Sequence, residues 1–415
     1  MPRADVETVK SLDSSSQKFI EMVQKKFGIL LDFSEEALLV ADDLFSMFFK
    51  LRRNHFFIVS GVIGAYLGNV IIKNIGGRWS KNLHVEKVGK IKTIVNPLLR
   101  AKKRLANGKQ DSFVFYYRSL KLSVNQDPSF APDKEKIENY YSVLRQRAWD
   151  KILLTRVKDP SEKKYVREEA ADILGRLGSN DIVPDLIEDL KSAKTAYYSA
   201  MALQGIPDER SFDPLLKMLK KTRSPFLKMQ TALALGSIGN DKAVPHLMVL
   251  LNDENEILAH YASMALARIK SPKVTDMILE SGILQNTDRA IYAIFVLGEE
   301  KDDRAVPALI ECLFSRDEHI KEAATGAFQN FTDERSFEPL SYLLSDKSYK
   351  IRTLAGYAIA RFGKERAGSL IRPLIKDPVQ SVRLHAEKLL YWLEHDQIPP
   401  QCMWLFCKEK FKYYF

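Results

Sequence analysis

A two-part pattern that returns about every 31 residues constrains this chain more than any other feature. Five prolines set its beat. Pro184, Pro214, Pro245, Pro307 and Pro339 lie 30, 31, 62 and 32 residues apart. Each belongs to a short apolar segment: VPDLIEDL (183–190), DPLLKML (213–219), VPHLMVLL (244–251), VPALIECL (306–313) and EPLSYLL (338–344). The doubled interval spans one unit in which VTDMILESG (274–282) lacks its proline. Between these segments runs a second type, with a branched residue, a basic residue and then small residues. Examples are VREEAADILGRLG (166–178), LKMQTALALGSIG (227–239), IKEAATGAFQNF (320–331), IRTLAGYAIARFG (351–363) and VRLHAEKLLYWL (382–393).

Both segments read as helices. Proline suits a first helical turn, where its missing N–H would have gone unsatisfied anyway. Leucines behind it give one apolar face. Ala170, Ala171, Gly175, Ala232, Ala234 and Gly236 allow neighbouring helices to approach closely, and Gly178, Gly239 and Gly363 are placed for left-handed C-terminal caps. Two such helices cannot bury their apolar faces alone, but stacked pairs can, so the fold class is an all-α solenoid of about seven helix pairs over 160–397. The near-identical phrases PDERSFDPLLKML (207–219) and TDERSFEPLSYLL (332–344) lie 125 residues apart, four periods. They mark the repeat register, with the Asp-Glu-Arg triplets pairing locally in the turns.

The VRxxAAxxLGxLG…VPxLxxxL pattern resembles the short HEAT-like repeats named after the phycobilisome bilin lyases. The resemblance covers about 160–395 and implies an extended protein-binding surface in a bacterial cytosolic protein. It also raises three enzyme readings. An iron enzyme like deoxyhypusine hydroxylase would need His-Glu pairs, and none of the seven histidines is followed by glutamate. A bilin lyase needs a pocket that no motif here identifies. A DNA glycosylase-like protein needs a basic aromatic surface, whereas residues 131–415 carry 42 basic against 41 acidic residues. Phosphate-loop, HExxH, CxxC and GxSxG patterns are absent. The expectation is therefore a scaffold without catalytic residues, cofactor or metal; the alternatives are a tetrapyrrole-handling lyase-like enzyme and a nucleic-acid binder.

The basic residue of each unit invites two readings. Arg289, Lys321, Arg352 and Arg383, with Tyr292 and Tyr357, would form a partner-binding ladder if they faced outward. Alternatively, Asp346 and Asp377 stand six residues before Arg352 and Arg383, a spacing that resembles the Asp–Arg ladder between adjacent HEAT units. Ala259 occupies the equivalent place after Asp253, so that ladder is broken there.

Residues 14–125 lack the period and read as a small α+β domain after a flexible start (1–13). Ser34 caps a helix over SEEALLVADDLFSMFFKLRR (34–53). HFFIVSGVIGAYLGNVIIKNIGGRW (55–79) has an uncharged run at 56–72, short for a membrane span, and reads as a buried helix packed through its glycines. RWSKNLHVEKVGKI (78–91) suggests a hairpin, and Asn96-Pro97 opens a basic helix. The order LDFSEEAL, GAYLG, GGRW, NPLLRAKKRLANG resembles a small bacterial domain of unknown function, with Asn69 where an acidic residue is expected. Positive charge concentrates here: residues 73–121 hold 13 Lys or Arg and two acidic residues. Arg100, Lys102, Lys103 and Arg104 are the candidate patch for an anionic partner, including nucleic acid. A linker and leading helix (126–159) follow. The tail IPPQCMWLFCKEKFKYYF (398–415) is expected to cap the last repeat, with Trp404 and Phe406 as anchors if it instead binds a partner. Three cysteines and no apolar leader point to a reducing, cytoplasmic setting, and a protein is the expected partner.

Overall fold

Proline-led and small-residue segments alternate as helices in the computed structural model, which describes residues 6–45, 53–80, 82–88, 93–107, 112–123, 133–285 and 288–395. The tail at 398–415 and the 46–52 stretch of the second expected helix lie outside the described residues. The chain divides into two units, Met1–Ser211 and Phe212–Phe415.

The first unit begins with α1 (Val6–Phe27), α2 (Glu35–Phe45) and α3 (Arg53–Asn74). Ser34 Oγ accepts from the Ala37 N–H at 3.2 Å, the expected N-cap of α2. The apolar run of α3 is core: Ile63, Tyr66, Leu67, Val70 and Ile71 are buried, and the indole of Trp79 lies where a Cβ on Gly68 would stand. No helix among the described residues is long and apolar enough to cross a membrane. Asn69 is fully used, donating to Asp13 Oδ1 and Ser16 Oγ and accepting from Trp79 Nε1. The expected hairpin is extended to an antiparallel sheet of β1 (Arg78–Trp79), β2 (Val85–Val88) and β3 (Thr93–Val95). Then come α4 (Pro97–Asn107), α5 (Phe113–Ser123), α6 (Lys134–Gln146) and α7 (Trp149–Lys158). Asn96 Oδ1 accepts from the Leu99 N–H and so starts the basic helix α4. The small-residue and proline-led helices of the first repeats, α8 (Lys164–Leu177), α9 (Val183–Asp189) and α10 (Ala196–Leu203), belong to this unit as well.

The second unit contains α11 (Phe212–Lys221), α12 (Pro225–Ile238), α13 (Val244–Leu251), α14 (Glu256–Ile269), α15 (Pro272–Glu280) and α16 (Ala290–Glu300). It continues with α17 (Val306–Leu313), α18 (Glu318–Ala327), α19 (Glu334–Leu343), α20 (Tyr349–Ala360), α21 (Lys364–Ile371) and α22 (Gln380–Glu394). Small-residue helices stack on one another. A Cβ on Gly236 would stand 2.6 Å from the Ala265 carbonyl oxygen and 2.7 Å from its Cα, so only glycine lets α12 and α14 meet at this depth. Gly236→Val should therefore cost about 1–3 kcal/mol through forced repacking. Scanning calorimetry should register this as a Tm lowered by several degrees; an unchanged Tm would show that the helices are free to part.

Two helix starts differ from the sequence expectation. The proline-less unit still begins with proline: α15 starts a turn early at Pro272, with Ser271 Oγ accepting from Lys273 N–H. In the second copy of the repeated phrase, Glu334–Ser336 are already α-helical, which places Pro339 inside α19 rather than at its opening. Left-handed caps do fall at Gly178 (φ 63) and Gly239 (φ 79), while Lys270 and Lys301 adopt the same conformation without glycine.

Candidate functional site

The basic residues of the repeats turn inward. In the second unit Arg352, 9% exposed, donates from Nε and Nη2 to both carboxylate oxygens of Asp377, at 2.7 and 2.8 Å. Its Nη1 donates to the carbonyls of Asp346 and Lys347. Arg383 repeats the carbonyl half of this motif on Asp377 and Pro378, and Lys321 reaches the Asp346 carboxylate at 3.1 Å. Each cation thus holds the turn between a proline-led helix and the next small-residue helix. In the first unit Arg167 plays the same part, donating to the carbonyls of Val157 and Lys194.

Arg289 explains how the array tolerates Ala259. At Arg352 and Arg383 the carbonyls of the turn aspartate and its successor are taken by the arginine six residues on. Ala259 is buried and has nothing to donate. Arg289, from the following helix pair, supplies both bonds instead: Nε to the Asp253 carbonyl and Nη2 to the Glu254 carbonyl, each at 2.9 Å. The ladder broken in sequence is closed in space.

The outward-facing reading of these residues is therefore corrected. Arg289 and Arg352 are buried, and Lys321 and Arg383 are half-buried against turn atoms. Tyr292 and Tyr357 are also buried; the Tyr357 hydroxyl shares a 2.8 Å hydrogen bond with His385 Nδ1, and Tyr292 packs near the His260 ring. Their energy goes into joining units, leaving little of any of them to meet a ligand.

The amino-terminal basic patch loses its central member. Arg104 is fully buried. Its Nε donates to Asp42 Oδ1 at 2.8 Å, Nη2 to the Asp42 carbonyl at 2.9 Å and Nη1 to Glu169 Oε1 at 3.3 Å. Ser112 Oγ and the Phe113 N–H complete the shell around the Asp42 carboxylate. Burial alone would push this carboxyl up, but the Arg104 charge and these hydrogen bonds outweigh it and hold it below the usual carboxylate value. Asp43, next in sequence, faces a second cluster and accepts from the Tyr141 hydroxyl and Arg176. Arg100 is half-buried, donating to the Ser112 carbonyl with its guanidinium over the Tyr116 ring. Only Lys102 and Lys103 of the four face solvent.

A second set of arginines marks the opposite turns. Asp208–Arg210 and Asp333–Arg335 pair as expected, at 2.6 and 2.7 Å. They also do something the sequence did not signal: Arg210 donates to the Asn180 carbonyl and Arg335 to the Asp303 carbonyl, each about one repeat upstream. Asp302–Arg304 follows the same plan and reaches Pro272 and Asp276.

Large apolar side chains remain exposed at the C-terminal ends of several proline-led helices. Val249 of α13 is 70% exposed, Phe314 just after α17 61%, and Tyr342 of α19 67%. Beside Val249 lies an open groove of about 830 Å³ between α13 and α15. Among the described residues no three His, Cys, Asp or Glu side chains converge to hold a metal ion.

Comparison with known proteins places repeats along the same region. Residues 166–191 match the PBS lyase HEAT-like repeat, residues 189–267 match HEAT repeats, and residues 301–333 match the armadillo/beta-catenin-like repeat. No curated protein matches the chain. Solved structures with some likeness include an engineered protein, at 15% identity over 92% of this chain and 99% of that one, with a TM-score of 0.36. Human deoxyhypusine hydroxylase in complex with glycerol is 19% identical over 61% of this chain and 99% of its own, with a TM-score of 0.27. The phycocyanin lyase complex of Nostoc sp. is 17% identical over 66% of this chain and 94% of its own, with a TM-score of 0.28. These values carry no functional argument.

Proposed function

We propose that this array of HEAT-like repeats is a non-catalytic protein-binding scaffold, working in the cytoplasm and contacting its partner through the proline-led helices of the second unit. The observation that carries this reading is the division of labour between the two helix types. The arginines of the small-residue helices are consumed in holding repeats together, although Phe226, Leu384 and Tyr391 on those helices are themselves exposed. Proline-led helices leave Val249, Phe314 and Tyr342 in solvent, recurring at the same end of the helix. A single exposed apolar residue is ordinary, but a recurring set is the kind of surface that a protein partner covers. Cys312 fits a role without thiol chemistry: it is buried, and burial, with Glu311 nearby, pushes its thiol up to about 11.

The test is proximity crosslinking in cells of the source organism with the full chain, comparing wild type with Val249→Glu, Phe314→Glu, Tyr342→Glu combined. These side chains are exposed, so circular dichroism should show an unchanged fold. Partner crosslinks should fall at least about tenfold, because a carboxylate forced into an interface is left without a partner. A folded triple variant that keeps all its crosslinks would overturn the reading.

A further inference from the structure

The groove beside Val249 coincides with the unit that departs most from the repeat. Elsewhere three to six residues join a proline-led helix to the next helix, four of them at 252–255 and 314–317. After α15 the connection runs through nine residues, 281–289. The helix starts a turn early and ends early, and the chain leaves it through Ser281 and Gly282, whose φ of +70° favours glycine. Arg289 ends this longer connection and is the same residue that reaches back to the Asp253 and Glu254 carbonyls. The irregular unit is therefore fastened in place on both sides of the groove. Repeat arrays often place such local departures on a binding face.

The lining is chemically one-sided. Met248, Val249, Met277 and Ile283 provide an apolar floor and wall, with flexible thioethers that adapt to varied shapes. Asp253 and Glu254 provide the charge, and no lysine or arginine lines the groove. This stands out in a chain of net charge +10. Asp253 Oδ1 accepts from Asn255 N–H, which leaves its second oxygen for a ligand, and the Glu254 side chain is exposed.

Building on the scaffold reading, we propose that the α13–α15 groove is a docking site for a short peptide segment of the partner, one that sets a large apolar side chain beside lysine or arginine. The apolar residue sits on Met248, Val249 and Met277, and the cation faces Asp253 and Glu254. The acidic rim disfavours nucleic acid and anionic lipid, whose phosphates it would repel.

The test uses the full chain and short fluorescent peptides that alternate leucine with lysine, leucine with glutamate, or serine with lysine, read by anisotropy. The leucine–lysine peptide should bind at least about tenfold more tightly than either control, since both the apolar anchor and the cation are required. Asp253→Asn with Glu254→Gln should weaken it about tenfold and flatten its salt dependence, and Val249→Glu should abolish it. Leu384→Glu, at an exposed position of α22 outside the groove, should leave it unchanged. Equal binding of the glutamate or serine peptide, or of the lysine peptide by the acid-to-amide variant, would overturn the proposal. So would sedimentation showing that Val249→Glu merely breaks a dimer of this chain. If no peptide binds while the triple variant still loses its cellular crosslinks, the groove assignment falls and the scaffold reading stands.

Discussion

Arg104→Ala should lower the stability of the first unit by about 3–5 kcal/mol, the usual consequence of removing one partner from a buried charge cluster. The substitution strands the Asp42 carboxylate, which keeps only Ser112 and the Phe113 N–H, in a site with almost no water. It also strips a donor from Glu169, so the loss spreads from α2 and α4 to the first repeat helix. Urea unfolding followed by Trp fluorescence reads the result. Lys103→Ala, one residue away on the solvent side, should change stability by no more than about 0.5 kcal/mol. A loss below about 1 kcal/mol for Arg104→Ala would mean that water reaches the cluster in solution. Restoring volume without charge, by combining Arg104→Met with Asp42→Leu and Glu169→Leu, should recover part of the loss, because no buried carboxylate is then left without its cation.

Asp377→Asn should have the next largest effect, about 3 kcal/mol near neutral pH, because it leaves Arg352 buried without its bidentate partner. Hydrogen bonds from Arg352 hold the Asp377 carboxyl below its usual value, outweighing burial, with the Val379 N–H and the Arg352 charge helping. The direction of the pH effect follows. A carboxylate whose folded-state pKa is depressed stabilises fully above its unfolded value of roughly 3.9 and loses that contribution as pH falls through the folded value. Wild type should therefore lose stability faster than Asp377→Asn between about pH 5 and pH 2, so that the two curves converge in acid. Parallel curves would mean that the pair contributes nothing through its charge.

The repeat period, its register and the Asp–Arg spacing were all legible in the sequence because they are written at fixed intervals. Arg352 follows Asp346 by six residues and does bond its turn. What spacing could not convey is which unit each side chain serves. Arg289 lies one residue before α16, outside the basic position of the other helices, so its service to the turn at 253–254 appears only in three dimensions. The amino-terminal cluster differs from its sequence expectation for another reason. Composition counts Arg100, Lys102, Lys103 and Arg104 together, but on α4 the first and last share one helical face and the two lysines another. Helical periodicity separates them at once. The adjacent Asp42 and Asp43 in the apolar run LLVADDLF were the missed signal, since buried carboxylates demand partners. The groove left no motif, because it arises from a helix that starts and ends a turn early.

The crossover made by Arg289 also bears on how such a chain tolerates gain or loss of units. In the units of Arg352 and Arg383 the arginine bonds the carbonyls of its own turn, so those bonds can be duplicated or removed with a block of about 31 residues, even though Arg352 also reaches Asp377 of the next unit. The stretch from Asp253 to Arg289 cannot, because the turn lies in one period and its guanidinium in the next. A deletion ending between them would leave two carbonyls without donors, while one removing both would splice two regular periods together. Here the smallest exchangeable block is two periods long.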